Sequence, residues 1–287
     1  MYLKNSFQVF FALILLLAFS NTAKAQHQEV GLWLGASNYV GDLNNNFSAK
    51  GVRPAGGFVY RYHLMEYIAF KGTLSYASLG FRDEWSSFPY HQARNLSFRT
   101  NLYEFTAQVE LNFRQFVPGD RARSYTPYIT AGIGAFRFNP KAKLDGEWFN
   151  LIEAGTEGQA VTQISGEKKY RQTQITIPVG IGIKWWIKGP WTFSAETNYR
   201  STFTDYLDDV SKRYVDNILF VDGSAEAALA DRSGELGVVI GDEGQQRGDS
   251  VSKDGYLFTS FSFTYTLFAN SCPGNAGFKA KTRKVLF

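Results

Sequence analysis

Eight segments of this chain alternate apolar and polar residues over the length of a membrane-crossing strand, and aromatics crowd their ends. The last segment shows it most clearly. Leu257, Phe261, Phe263, Tyr265 and Leu267 share one strand face, and Ser260, Ser262, Thr264 and Thr266 share the other. A two-residue period with one greasy and one small polar face suits a sheet between lipid and a polar interior. In hydrocarbon such a sheet has to close, because an open edge would leave backbone N–H and C=O groups unpaired. The pattern points to an all-β fold, an eight-stranded antiparallel transmembrane β-barrel with long extracellular loops and short periplasmic turns.

Strands are expected at about 28–37, 55–63, 67–79, 100–115, 125–138, 173–187, 190–202 and 256–268. In the sixth, Ile175, Ile177, Val179, Ile181, Ile183, Trp185 and Ile187 face outward, while Thr176, Pro178, Gly180, Gly182 and Lys184 face inward. Inward glycines suit a narrow barrel, where bulky side chains from every strand would collide. In the fifth, Phe136 and Arg137 compete for the lipid side and the register stays open. The gaps near 64–66, 117–123 and 188–190 are short. Those near 38–54, 80–99, 139–172 and 203–255 are long. Short turns belong in the periplasm and long loops outside, which puts both termini in the periplasm. In the last loop, helical spacing predicts a helix over Asp205–Tyr214 with Asp205 as N-cap, and an alanine-rich one over Ser224–Asp231. The glycine- and acid-rich stretch from Gly234 to Gly255 reads as mobile.

Residues 1–25 read as a signal peptide: Lys4 supplies the positive region, Val9 to Phe19 the apolar one, and Ala23-Lys24-Ala25 the cleavage site. Residues 26–270 then form an outer-membrane barrel and 271–287 a basic periplasmic tail. A net charge of +4 without zinc-finger or helix-turn-helix spacing gives no sign of nucleic-acid binding. The single cysteine, Cys272, excludes an intramolecular disulfide.

Four constellations carry chemistry. Arg61, Lys71, Glu104, Glu110, Lys184, Glu196 and Arg200 fall on inward faces. An eight-stranded barrel is just wide enough to be filled by side chains, so mutual pairing accounts for them better than a conducting pore does. His91 lies near Ser86, Ser87 and Glu84, as a lipid-modifying hydrolase would require, yet no nucleophile motif accompanies them and loop composition explains them as well. Asp205, Asp208 and Asp209 form one acidic knot, and Asp242, Glu243 and Asp249 another. Neither has EF-hand spacing, so both read as solvated surface acids, and no metal or cofactor is expected. Arg247-Gly248-Asp249-Ser250 spells an integrin-binding tetrapeptide, which in one chain is most often coincidence. Lys279, Lys281, Arg283 and Lys284 in the tail could meet a periplasmic partner or anionic headgroups.

Specific runs resemble a known family. Glu29-Val30-Gly31, Gly35 and Asn38-Tyr39-Val40-Gly41-Asp42-Leu43 resemble the opening of PorG-like outer-membrane proteins of Bacteroidota. So does Thr126-Pro127-Tyr128 leading to Phe138-Asn139-Pro140. The most specific run is Thr202-Phe203-Thr204-Asp205-Tyr206-Leu207-Asp208-Asp209-Val210-Ser211, followed by Tyr214. The resemblance implies a non-enzymatic accessory part of the type IX secretion system, associated with a periplasmic ring of a PorK-like lipoprotein and a PorN-like protein. Thr204 to Val210 would form a loop-packing or extracellular interaction element. The competing readings are a surface adhesin or OmpX-like structural barrel, and an outer-membrane lipid-modifying enzyme.

Overall fold

The computed structural model describes residues 27–45, 48–159, 166, 168–216 and 219–267. The signal segment, Cys272 and the tail with Lys279, Lys281, Arg283 and Lys284 lie outside the described residues. The strands are β1 (His27–Val40), β2 (Arg53–His63), β3 (Ile68–Arg82), β4 (Ser97–Asn112), β5 (Tyr125–Leu144), β6 (Glu147–Asn150), β7 (Thr173–Lys188), β8 (Trp191–Thr202) and β9 (Gly255–Leu267). Eight of them form an up-and-down antiparallel ring, closed by pairing of β1 with β9. The fold is therefore the closed eight-stranded barrel that the alternation requires. The ninth, β6, folds back on the far end of β5 through Asp145 and Gly146, both with positive φ. An Asp-Gly pair supplies the φ > 0 that a tight hairpin needs.

Leu34, Phe58, Ile133 and Ile181 each expose more than half their surface on the outer wall, within a continuous apolar band. A band of this kind is intolerable in water and is the lipid contact of a transmembrane barrel. Along β4 it runs from Tyr103 to Leu111 and on to Phe113 just past the strand's end, about 25 Å once strand tilt is allowed for. Aromatics mark both edges. Trp191 meets Tyr265 edge-on at the short-turn end, and Tyr76 lies 5.2 Å from Tyr103 at the long-loop end. No helix among the described residues is long and apolar enough to cross a membrane.

Several strands outrun their expected ends: β1 reaches Val40, β3 reaches Arg82, β4 starts at Ser97 and β5 continues to Leu144. Beyond the belt, the ladder continues on backbone hydrogen bonds, and no lipid face imposes the alternation that marks a strand in sequence. The register of β5 is set by β4, with Tyr103 opposite Arg137 and Glu104 opposite Phe136. Phe136 therefore points inward and Arg137 outward.

The interior has two layers. Toward the long loops it is apolar and aromatic: Trp33, Tyr39, Phe98, Leu102, Phe136, Phe138, Tyr256 and Phe258 are buried there. Toward the short turns it is charged. Gly180 and Gly182 make room between the two layers, since a Cβ on Gly180 would meet the Asn198 side chain and one on Gly182 the Tyr128 ring. Missing side chains on β7 are what let Tyr128 and Asn198 cross the lumen.

Candidate functional site

The charged layer begins with alternation. Inward positions of successive strands bring Glu110 (β4), Arg61 (β2), Lys71 (β3), Lys184 (β7) and Glu196 (β8) into one section of lumen, where Glu29 (β1) joins them. Glu104 (β4) and Arg200 (β8) pair within the aromatic layer, where Tyr256 Oη donates to Glu104 at 3.0 Å and the Arg200 guanidinium lies 4.1 Å from the Phe258 ring. Arg61 Nε donates to Glu110 at 3.1 Å, and Lys184 pairs with the same carboxylate. Lys71 Nζ lies 2.6 Å from Glu196, which also accepts the Tyr128 hydroxyl at 2.7 Å. Arg200 Nε reaches Glu104 at 3.3 Å, and Arg61 Nη1 lies 3.6 Å from Glu29. Four acids thus meet four bases in a water-poor lumen. Buried ions survive only when paired, and here each has a partner. The layer plugs the barrel.

Glu29 ends this network at the short-turn rim. His27 and His63 are directly opposed across β1 and β2, and their rings stack at 3.9 Å. His63 Nε2 lies 3.0 Å from Glu29 Oε1, and His27 Nε2 lies 3.8 Å from it. Two imidazoles and a carboxylate are a zinc-type donor set. Their donor atoms lie within 4.8 Å of one another, but Glu29 already accepts Thr264 Oγ1 at 2.8 Å and faces Arg61. The trio reads as the end of the ion-pair network.

At the other end the long loops fold into a cap. Here the acidic knot departs from its expected place in solvent: Asp205, Asp208 and Asp209 are buried, as are Asp42 and Asp254. The residues 205–214 form no helix. Asp208 Oδ1 accepts the Val210 amide at 2.9 Å, Thr204 Oγ1 accepts the Tyr206 amide at 3.2 Å, and Asp209 sits at φ 68°. Short polar side chains satisfy the local backbone here in place of helical bonds. The alanine-rich helix does form, as Ala225–Ala230 with Ser224 accepting the Ala227 amide.

The signature run is the keystone of this cap. Leu207 and Val210 are buried, and the Tyr206 ring stacks 4.6 Å from Tyr170. Tyr39 Oη, at the top of β1, donates to Asp208 at 2.5 Å and lies 2.8 Å from Asp254 Oδ1. Asp209 accepts Thr156 Oγ1 at 2.5 Å and Tyr170 Oη at 2.6 Å. Arg247 binds Glu157 at 3.0 Å, the Asp209 carbonyl at 2.7 Å and the Ala230 carbonyl at 3.2 Å. Arg94 forks onto Asp83 at 2.7 and 2.8 Å. The stretch expected to be mobile is tied down as well. Tyr214 and Gln245 share a backbone bond, and the amides of Arg247 and Gly248 both reach Lys212 O. With Arg247 only 2% exposed, the Arg-Gly-Asp run presents no arginine to a receptor. Asp242 and Glu243 do lie in solvent.

Burial raises the Asp42 carboxyl to about 7 and Asp209 to about 6, and it raises Asp208 and Asp254 well above the ordinary aspartate value, with repulsion among Asp42, Asp208 and Asp254 adding to it. A carboxyl raised on folding stabilises the cap fully below its unfolded value near 4, and that contribution is lost as pH rises through 6–7. Amide exchange in 204–211, corrected for intrinsic rates, is therefore expected to be roughly ten- to a hundredfold faster at pH 8 than at pH 5. Exchange that is equal, or slower at pH 8, would contradict this.

The candidate hydrolase residues meet only in part. Ser86 Oγ and His91 Nδ1 are 3.2 Å apart, but Glu84 pairs with Arg82 at 3.2 Å instead of orienting the imidazole. Asp83, the other nearby acid, is held by Arg94. No acid of this loop completes a triad.

Sequence reasoning missed the apolar layer, the β5–β6 hairpin and the contribution of Tyr39, Glu157 and Arg247 to the cap. Only the hairpin had a local signal, in Asp145-Gly146.

The fold is similar to several solved barrels. Ail, the attachment invasion locus protein of Yersinia pestis, in complex with the heparin analogue sucrose octasulfate, is 10% identical, covering 85% of this chain and 100% of that chain with a TM-score of 0.40. Neisserial surface protein A is 11% identical over 83% of this chain and 96% of that chain, with a TM-score of 0.42. The outer membrane protein OprG from Pseudomonas aeruginosa is 8% identical over 86% and 98%, with a TM-score of 0.39. No curated protein matches the chain. Residues 7–220 match the profile of a domain of unknown function, DUF6089, and the chain belongs to that family.

Proposed function

We propose that this barrel is a non-enzymatic, integral outer-membrane component of the type IX secretion machinery, acting by holding partners at the membrane. The observation that carries the non-conducting part is the double seal: paired charges fill one end of the lumen and an aromatic core with its loop cap fills the other. Among the described residues the lumen has no open path and the Ser86–His91 pair has no orienting acid, which supports a role carried by the surfaces of the barrel. The secretion role rests on the resemblance of the Thr202–Ser211 run to PorG-like proteins. Because that run is buried in the cap, it builds the loop structure and leaves partner contact to other surfaces.

The short-turn rim is the natural contact for a periplasmic ring of PorK-like and PorN-like proteins. β1 begins and β9 ends there, since Gln28 lies opposite Leu267. Arg123 is anchored on the rim by Glu66 and Asp120, both at 2.8 Å. On this reading both termini are periplasmic. The test is a gentle-detergent pull-down of the tagged chain from outer membranes, repeated after removal of residues 273–287. Recovery of a ring lipoprotein and its companion, weakened by the truncation, is the expected result. A clean monomer after cross-linking would overturn the secretion role and favour a surface adhesin or OmpX-like structural barrel.

A further inference from the structure

A cavity of about 650 Å³ opens on the outer wall just beyond the aromatic edge of the lipid belt, at the cap end. Its origin is topological. β5 pairs with β7 up to Arg137 and Thr173, and from Lys141 onward the same edge of β5 is taken by β6. The intervening rungs leave a notch floored by β4 and β5 and walled by β6. Outward side chains at successive rungs enter it: Tyr103 opposite Arg137, Asn101 opposite Asn139, and Arg99 opposite Lys141.

The charge of this notch is unbalanced. Arg99, Arg137 and Lys141 line it, and no carboxylate does. Arg99 and Lys141 are directly opposed across the ladder, a like-charge pair that costs stability unless an anion lies between them. The lumen pairs its cations, so three cations without acids mark a different use. Trp148 on β6 closes one side, with the Arg99 guanidinium 5.9 Å from its ring centroid. Asn101 adds amide donors beneath, and Asn139, whose Nδ2 donates one N–H to Asn150 Oδ1 at 3.2 Å, has its second to offer. Height decides the ligand. The notch starts at the aromatic girdle, where Tyr103 is still in the belt, and extends two rungs into the headgroup zone.

We propose that this notch binds the phosphorylated headgroup of a lipid in the leaflet at the cap end. Arg99, Arg137 and Lys141 hold the phosphate, the two asparagines hydrogen-bond to it, and Trp148 covers it from the cap side. Guanidinium forks suit phosphate oxygens, and the adjoining belt takes the acyl chains. The proposal rests on the membrane insertion of the barrel and is independent of any secretion partner.

The test is native mass spectrometry of the full chain released from phosphatidylcholine nanodiscs doped with diphosphorylated lipid A, against discs doped with its dephosphorylated form. The variant carries Arg99→Gln, Arg137→Gln and Lys141→Gln together. These side chains are exposed, and heat-dependent gel migration confirms folding. A control variant carries Arg114→Gln and Arg121→Gln at the opposite rim. One retained diphosphorylated lipid, reduced about tenfold or more in the triple variant but not in the control, is the expected result. Equal retention by wild type and triple variant, or of the dephosphorylated lipid, would overturn the proposal. So would displacement by millimolar inorganic phosphate, which would make the notch a site for the free anion.

Discussion

Replacing Glu110 with glutamine is expected to destabilise the barrel by about 3–5 kcal/mol, the usual cost of stranding a buried charge. The side chain keeps its volume, so packing is not the cause. Glu110 is fully buried between Lys184, itself fully buried, and Arg61. Arg61 retains Glu29 at 3.6 Å, whereas Lys184 has Glu110 as its ion-pair partner and otherwise faces the rings of Phe116 and Tyr128 at 4.8 and 5.4 Å. The lysine must then lose its proton or admit water. The urea midpoint in lipid vesicles, followed by tryptophan fluorescence and heat-dependent migration, reads the effect. Adding Lys184→Met should recover most of the loss, because an apolar replacement of both partners removes the stranded charge. A shift of the single variant below about 1 kcal/mol would mean that the pair is solvated and the lumen is wet.

Arg247→Ala is expected to open the cap and leave the barrel intact. Arg247 is the cation for Glu157, whose Oε1 also accepts the amides of Ser211 at 2.9 Å and Lys212 at 3.1 Å. It further ties the Asp209 and Ala230 carbonyls together. Its loss leaves one buried carboxylate and two carbonyls short of donors, about 3–5 kcal/mol of local stability. Faster amide exchange and proteolysis across 204–216 and 245–254, with unchanged protection in β1 to β9, is the expected signature. Lys253→Ala is the contrast. That lysine is half-exposed and 3.8 Å from Asp205, so its removal should cost less than about 1 kcal/mol. Equal behaviour of the two variants would place the stability of the cap in its apolar residues instead.

How much of this was legible follows the solvent. Where lipid lies outside and polar groups lie inside, as from Phe261 to Thr266, period and polarity coincide and the strand can be read directly. The inward Glu104, Glu110, Lys184 and Glu196 follow from the same alternation. Above the belt that code fails. Phe136, Phe138, Tyr256 and Phe258 are aromatic and inward, so a rule that sends aromatics to lipid cannot place β5. Only the pairing with β4 settles it. The aspartates were misplaced for a different reason. Tyr39 closes on Asp208, and Thr156, Tyr170 and Arg247 close on Asp209, and nothing within the ten residues around either aspartate records that contact. The missing helix did have a local cause, in Thr204 and Asp208 capping their own backbone. The three cations of the outer notch follow strand parity, but their isolation from acids emerges only when β6 replaces β7 beside β5.

Paired charges at one end and aromatic side chains at the other seal the lumen, and on the proposed function the barrel works through its surfaces. Single-channel recording in planar bilayers tests the seal most directly, with the purified barrel reconstituted at neutral pH and its folding verified by heat-dependent migration. No conductance steps above the lipid background are expected from the wild-type chain. Stable, reproducible openings would contradict the seal and return the charged layer to the role of a selectivity filter.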